Sequence, residues 1–154
     1  MPIAIDIIKK HPESIPALAQ QWLLSIGKWE PNASHEDIKK WLYEWMNDSI
    51  PMAFVAFDGA HPVGMCSLQF NDGLASDLKP WLGDLFVIPD YQHKKISVQL
   101  IEAAKWQAKL QGYHSLYLFA PDKNIPNYYM RLGWKKIGDD RYNGHMVTVM
   151  SCVL

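Results

Sequence analysis

The stretch Trp81–Ser97, WLGDLFVIPDYQHKKIS, constrains the chain more than any other. Its opening residues are apolar on both parities: Trp81, Leu85 and Val87 on one side, Leu82, Phe86 and Ile88 on the other. A strand of that kind is covered on both faces and lies inside a sheet. Pro89 and Asp90 end it, because proline has no N–H for a ladder and Asp favours turns. After a short polar loop the pattern predicts a helix from near Lys95 to Gly112. Strand, polar loop and helix N-terminus gather unpaired N–H groups and a positive dipole end at one place, a layout suited to phosphate. Lys94 and Lys95 add positive charge there.

The rest of the chain reads as one unit built around that strand. Its 154 residues predict a single domain, 1–154. A net charge of −1 gives no electrostatic case for nucleic acid or an anionic membrane. The longest apolar runs, Ile50–Phe57 and Met146–Leu154, are strand-length, so no transmembrane helix is expected. No basic region followed by a long apolar segment opens the chain, and Cys66 and Cys152 fit strand interiors without a disulfide. The expected location is cytoplasmic.

Ile3–Ile8 predicts a first strand. A helix follows from His11-Pro12-Glu13 to Gly27, with its stripe at Leu18, Trp22, Leu23 and Ile26. Ser34-His35-Glu36-Asp37 has the spacing of a capping box and opens a second helix, lined by Ile38, Trp41, Leu42 and Trp45. Met52–Phe57 and Val63–Phe70 read as an antiparallel hairpin around Asp58-Gly59-Ala60-His61-Pro62. A polar connection, Asn71–Pro80, leads into the central strand. Ser115–Phe119 is the next strand, parallel to the central one because a helix crosses between them. A short helix, Pro126–Leu132, ends at Gly133. A strand at Trp134–Ile137, a turn over Asp139–Gly144 and a last strand, Met146–Val153, finish the chain.

Two motifs carry a family resemblance. Gln92-His93-Lys94-Lys95-Ile96-Ser97 resembles the Q/R-x-x-G-x-G/A loop of the GNAT superfamily of N-acetyltransferases, with Lys95 in a glycine slot and Ser97 in the last small slot. Tyr129-Met130-Arg131-Leu132-Gly133-Trp134 is similar to the family's Y-x-x-x-G-F motif. The element order β–α–α–β–β–β–α–β–α–β–β is also that family's order. The resemblance implies an α/β fold with a mixed central sheet flanked by helices. It implies acetyl-CoA as co-substrate, no metal, and direct transfer to a primary amine of a small molecule or peptide. A homodimer is compatible with it.

Roles carried over by the resemblance are as follows. The central strand and its parallel neighbour splay apart, and backbone groups of Leu85, Phe86 and Val87 hold the pantetheine arm in the gap. A backbone N–H near Val87 polarises the thioester oxygen. Gln92, His93, Lys94, Lys95, Ile96 and Ser97 wrap the pyrophosphate. A helix N-terminus does not demand positive φ, so Lys95 is expected to fit without glycine. Tyr129 is the expected general acid toward the leaving thiolate, since a phenol with a pKa of about 10 is protonated at neutral pH. Asp122 occupies the slot of a pantetheine-binding Asn, and Asn124, whose amide both donates and accepts, is favoured over it.

The general base is not evident from the sequence. The family's Glu or His positions on the central strand fall on Trp81 and Gly83, neither of which takes a proton. Asp84 is the one ionisable group of the strand. Asp84 is therefore the candidate catalytic carboxylate beside Tyr129: it either engages a cationic amine or passes the amine's proton on through water, or else it serves as a structural carboxylate. The six His show no metal-ligand spacing. Trp22, Trp29, Trp41 and Trp45 suit a core, with one or two on the acceptor side. The alternative functions are a non-catalytic GNAT-like domain that binds acyl-CoA or a protein partner, and a purely structural α/β domain.

Overall fold

The computed structural model of the protein describes residues 2–121 and 124–154. Seven strands form one sheet in the order β1-β2-β3-β4-β5-β7-β6. They are β1 Ile3–Ile7, β2 Met52–Asp58, β3 His61–Gln69, β4 Trp81–Val87, β5 Ser115–Ala120, β6 Lys135–Tyr142 and β7 His145–Val153. Four α-helices cover the sheet: α1 Ile15–Ile26, α2 His35–Glu44, α3 Ile96–Leu110 and α4 Ile125–Arg131. Neighbouring strands are antiparallel except β4 and β5, which are parallel.

The alternation of β2 decides how the two faces are filled. Met52, Phe54 and Ala56 pack on one face with Leu100, Ile101, Ala104 and Ala108 of α3. Ala53, Val55 and Phe57 pack on the other with Leu18 and Trp22 of α1 and Ile38 and Leu42 of α2. Apolar residues three and four apart give each helix one stripe to bury. Burying one such Leu is worth about 2 kcal/mol, so these stripes fix the helices to the sheet. The capping box opening α2 is present: Ser34 Oγ accepts from the Asp37 N–H at 3.1 Å, and Asp37 Oδ2 accepts from the Ser34 N–H at 2.8 Å.

Three expectations are corrected. The parity assigned to β4 fails because Asp84 has φ 53°, which inserts an extra residue opposite Cys66 of β3. Beyond that bulge the faces exchange. Leu82, Leu85 and Val87 belong with the α3 side, Phe86 with the α1/α2 side, and Trp81 with a separate cluster around Leu74, Val147 and Val149. The strand at Trp134–Ile137 is longer than expected and runs to Tyr142, so Asp139–Tyr142 is not turn. Asn143 and Gly144 alone make the connection, with the two positive φ angles, 49° and 79°, of a tight hairpin. Lys95 does adopt positive φ, 62°, and His93 does too, 64°, so the loop takes glycine-like backbone without glycine at either position.

Candidate functional site

β4 and β5 pair at Trp81–Tyr117 and then diverge. Past that point the β4 edge facing β5 shows no ladder partner among the described residues. Two cavities flank the gap, and Leu85 lines both. The consecutive tyrosines of α4 divide between them: Tyr128 lines one and Tyr129 the other.

The first is a groove between the end of β4 and the start of α3. Leu85, Phe86, Val87, Gln92, His93, Lys95, Ile96 and Ser97 line it, with Val98 in addition. Gln92 Nε2 donates to the Val87 carbonyl at 2.9 Å, tying the loop back to the strand. Ile96 anchors the helix start by burying its side chain, which leaves only its backbone for a ligand. Ser97 and Tyr128 join their hydroxyls across the groove at 2.6 Å. Lys94 is placed apart from the others. Its Nζ lies 5.2 Å from the Tyr91 ring centre, over a separate depression beside Asp58 and Asp90. Asn124 is an exposed residue at the entry to α4. Asp122 lies outside the described residues.

The second cavity is acidic and aromatic. Glu30, Asp72 and Asp84 line it together with Trp22, Trp29, Tyr129 and Tyr142. Trp41 and Trp45 are packing residues of the α1/α2 side, so two of the four tryptophans reach this cavity. Asp84 is held on both oxygens: Trp22 Nε1 donates to Oδ1 at 2.9 Å, and Ser67 Oγ donates to Oδ2 at 2.6 Å. Gln69 Nε2 also donates to Asp84 Oδ2, at 3.2 Å, and to Asp72 Oδ1, at 3.1 Å. Burial raises the Asp84 pKa more than the Ser67 and Trp22 hydrogen bonds lower it. Burial, then the charges of Asp84 and Glu30, hold Asp72 well above the ordinary carboxyl range. Glu30 is likewise raised by burial, against a hydrogen bond from Asn143.

Sequence reasoning missed Glu30, Asp72 and Tyr142, which come from connections and from the sheet edge. Tyr142 Oη donates to Glu30 Oε1, and Asn143 Nδ2 donates to Glu30 Oε2 at 3.0 Å, so the β6–β7 hairpin closes one wall. Tyr129 is 8% exposed and stacks edge-on against Trp134 and Tyr128, which fixes its ring. Burial pushes its phenol pKa further up, so the hydroxyl keeps its proton throughout the neutral range. Among the described residues no three His, Cys, Asp or Glu are grouped to hold a metal ion, and no helix is long and apolar enough to cross a membrane.

The model of the acetyltransferase (GNAT) family matches residues 18–134. No curated protein sequence matches the chain. Among solved structures, an aminoglycoside 6'-N-acetyltransferase complexed with coenzyme A is 16% identical, with TM-score 0.78 over 99% of this chain and 97% of that one. An N-acetyltransferase from Thermoplasma acidophilum in complex with coenzyme A is 20% identical, with TM-score 0.67 over the whole of both chains. A chain of the NatC complex bound to Gag peptide and coenzyme A is 16% identical, with TM-score 0.72 over 100% of this chain and 99% of that one.

Proposed function

Because the chain belongs to the acetyltransferase (GNAT) family, we propose that it transfers an acetyl group from acetyl-CoA to a primary amine of a small molecule or peptide. The observation that carries this reading is the pair of cavities meeting at Leu85, one at a helix N-terminus and one lined by carboxylates. The groove fits the donor by its chemistry. Beyond Trp81 the β4 edge offers peptide groups to an amide-bearing arm, and the start of α3 offers N–H groups to phosphate. Similar solved chains that carry coenzyme A support the same assignment.

Acetyl-CoA supplies the activated acetyl thioester. The backbone of Leu85, Phe86 and Val87 orients the pantetheine arm and offers an N–H to the thioester oxygen. Gln92 braces the loop on which His93, Lys95, Ile96 and Ser97 meet the pyrophosphate, and Asn124 contributes from the entry to α4. Lys94 acts there at longer range, through its charge. Tyr129 holds a proton at its Oη for the departing sulfur. The carboxylates, Asp84 among them, attract an ammonium group, and the rings of Trp22, Trp29 and Tyr142 line the same cavity, where aromatic rings attract cations.

The direct test is thermal unfolding with acetyl-CoA, followed by assay of an amine panel. A ligand bound only to the native state at about a hundred times its Kd adds roughly 2.7 kcal/mol of stability. A clear rise in Tm and acetylation of at least one amine are expected. No shift at millimolar acetyl-CoA would reject the reading.

A further inference from the structure

The β4 position that has no side chain is filled from another element. A Cβ on Gly83 would stand 2.4 Å from Asp72 Oδ2, 2.7 Å from its Cγ and 2.8 Å from Oδ1. The Asp72 carboxylate therefore occupies the space in which a strand side chain at 83 would begin. Asp72 lies in the β3–β4 connection, and that connection is built to deliver it. Asn71 Oδ1 accepts from the Gly73 N–H at 2.6 Å, Asn71 Nδ2 donates to the Leu74 carbonyl at 2.8 Å, and Leu74 is buried against Trp81. Gln69 pins Oδ1 from below. The carboxylate faces the cavity that Tyr129 lines from the opposite element.

We propose that Asp72 is the catalytic base that takes a proton from the acceptor ammonium, in place of a base on β4 itself. This assignment rests on the acetyl-transfer reading. A carboxylate held above its ordinary range by burial is a stronger base than a solvated one, and an arriving cation balances the charge it carries. The groups that face Asp72 are Asp84 on β4 and Glu30 after α1, both acidic. Tyr129 on α4 and Tyr142 on β6 line the same cavity. With no cation among them, the cavity raises the Asp72 pKa when empty and lowers it when an ammonium enters. The amine nitrogen loses two protons over the full transfer as its bond to the acetyl carbon forms and the carbon–sulfur bond breaks. One ends on the thiol sulfur through Tyr129, and the other leaves to solvent through Asp72.

The test uses the whole chain with benzylamine, 1,4-diaminobutane and a peptide with a free N-terminus as probes. Asp72→Asn is expected to lower kcat/KM at neutral pH by about a hundredfold or more. With benzylamine and 1,4-diaminobutane, which are almost wholly protonated near neutral pH, its residual rate should rise tenfold per pH unit there, because only pre-formed free amine then reacts. With the peptide the rise should level off near the α-amino pKa of about 8. Gly83→Ala keeps every ionisable group but drives a Cβ into the Asp72 site, and should produce a loss of the same kind. Asp72→Ala combined with Gly83→Glu returns a carboxylate to that space and should recover at least tenfold over Asp72→Ala. Independently of turnover, side-chain carboxyl NMR of the ligand-free protein should show a group titrating above the ordinary range that is missing in Asp72→Asn and displaced in Gly83→Ala. Wild-type turnover with Asp72→Asn retaining both rate and pH profile would overturn the base assignment and leave acetyl transfer standing. Absence of the raised titration would overturn it too. A wild type that acetylates none of the probes while binding acetyl-CoA would reject the transfer reading, and this assignment with it.

Discussion

The hydroxyls of Ser97 and Tyr128 lie 2.6 Å apart and tie the first turn of α3 to α4 across the groove. A single hydroxyl pair of this kind contributes about 1 kcal/mol. Tyr128→Phe is therefore expected to lower stability by roughly that amount and to raise KM for acetyl-CoA several-fold, with kcat nearly kept. Steady-state kinetics with varied acetyl-CoA and a urea melt check both halves. An unchanged KM would mean that the pair does not shape the groove.

Tyr129→Phe should behave in the opposite way. Tyr129 lines the second cavity rather than the groove, so the variant should bind acetyl-CoA normally and lose about a hundredfold in kcat. Because burial raises the phenol pKa, the wild-type rate should show no alkaline fall from Tyr129 ionisation up to about pH 10. Equal losses from Tyr128→Phe and Tyr129→Phe would reject the division of labour between them.

The acidic cavity makes stability depend on pH with a definite sign. Burial raises the folded pKa values of Asp72, Asp84 and Glu30 above their ordinary 3.8 and 4.5. The folded state thus binds more protons than the unfolded one. The stability these groups contribute is whole below their unfolded values and is lost as pH rises through the folded ones. Asp72→Asn removes one of them, so its stability relative to wild type should increase as pH rises above the ordinary value of 3.8. Urea unfolding at stepped pH measures this difference. A flat difference would show that Asp72 ionises as it does in water.

Lys95 holds φ 62° at the entry to α3. A side chain in that region costs about 1 kcal/mol relative to glycine. Lys95→Gly is expected to raise the Tm of the free protein slightly while acetyl-CoA binding weakens and becomes less salt-dependent, since one cation is gone. Lys95→Ala should show the binding loss without the gain in Tm. Salt dependence equal to that of wild type would remove Lys95 from the phosphate contacts.

The fold was legible where the signal is local. Helix stripes, the capping box at Ser34 and Asp37, and the strand–loop–helix unit from Trp81 all depend on neighbours in sequence. The bulge at Asp84 was not legible, because nothing in the side-chain pattern of an apolar strand marks one residue with positive φ. The Asn143-Gly144 pair did carry a hairpin signal, but the polar residues around it read equally well as a longer turn. The greatest gap was Asp72. Its relation to Gly83 arises from two segments eleven positions apart that meet only when the β3–β4 connection folds over the sheet, so no spacing rule links them. For the same reason Glu30 and Tyr142, from opposite ends of the chain, gave no sign of meeting.

That clasp between the turn after α1 and the tip of the β6–β7 hairpin has a consequence for how the protein can diverge. The groove at α3 is encoded largely by one contiguous stretch from Leu85 to Val98, whereas the acidic cavity takes its walls from elements widely separated along the chain. Under the proposed function, substitutions in the hairpin tip or in the turn after α1 would recast which amines are accepted while the groove for the acetyl donor is inherited intact. On that reading, selectivity and donor handling are separately heritable modules.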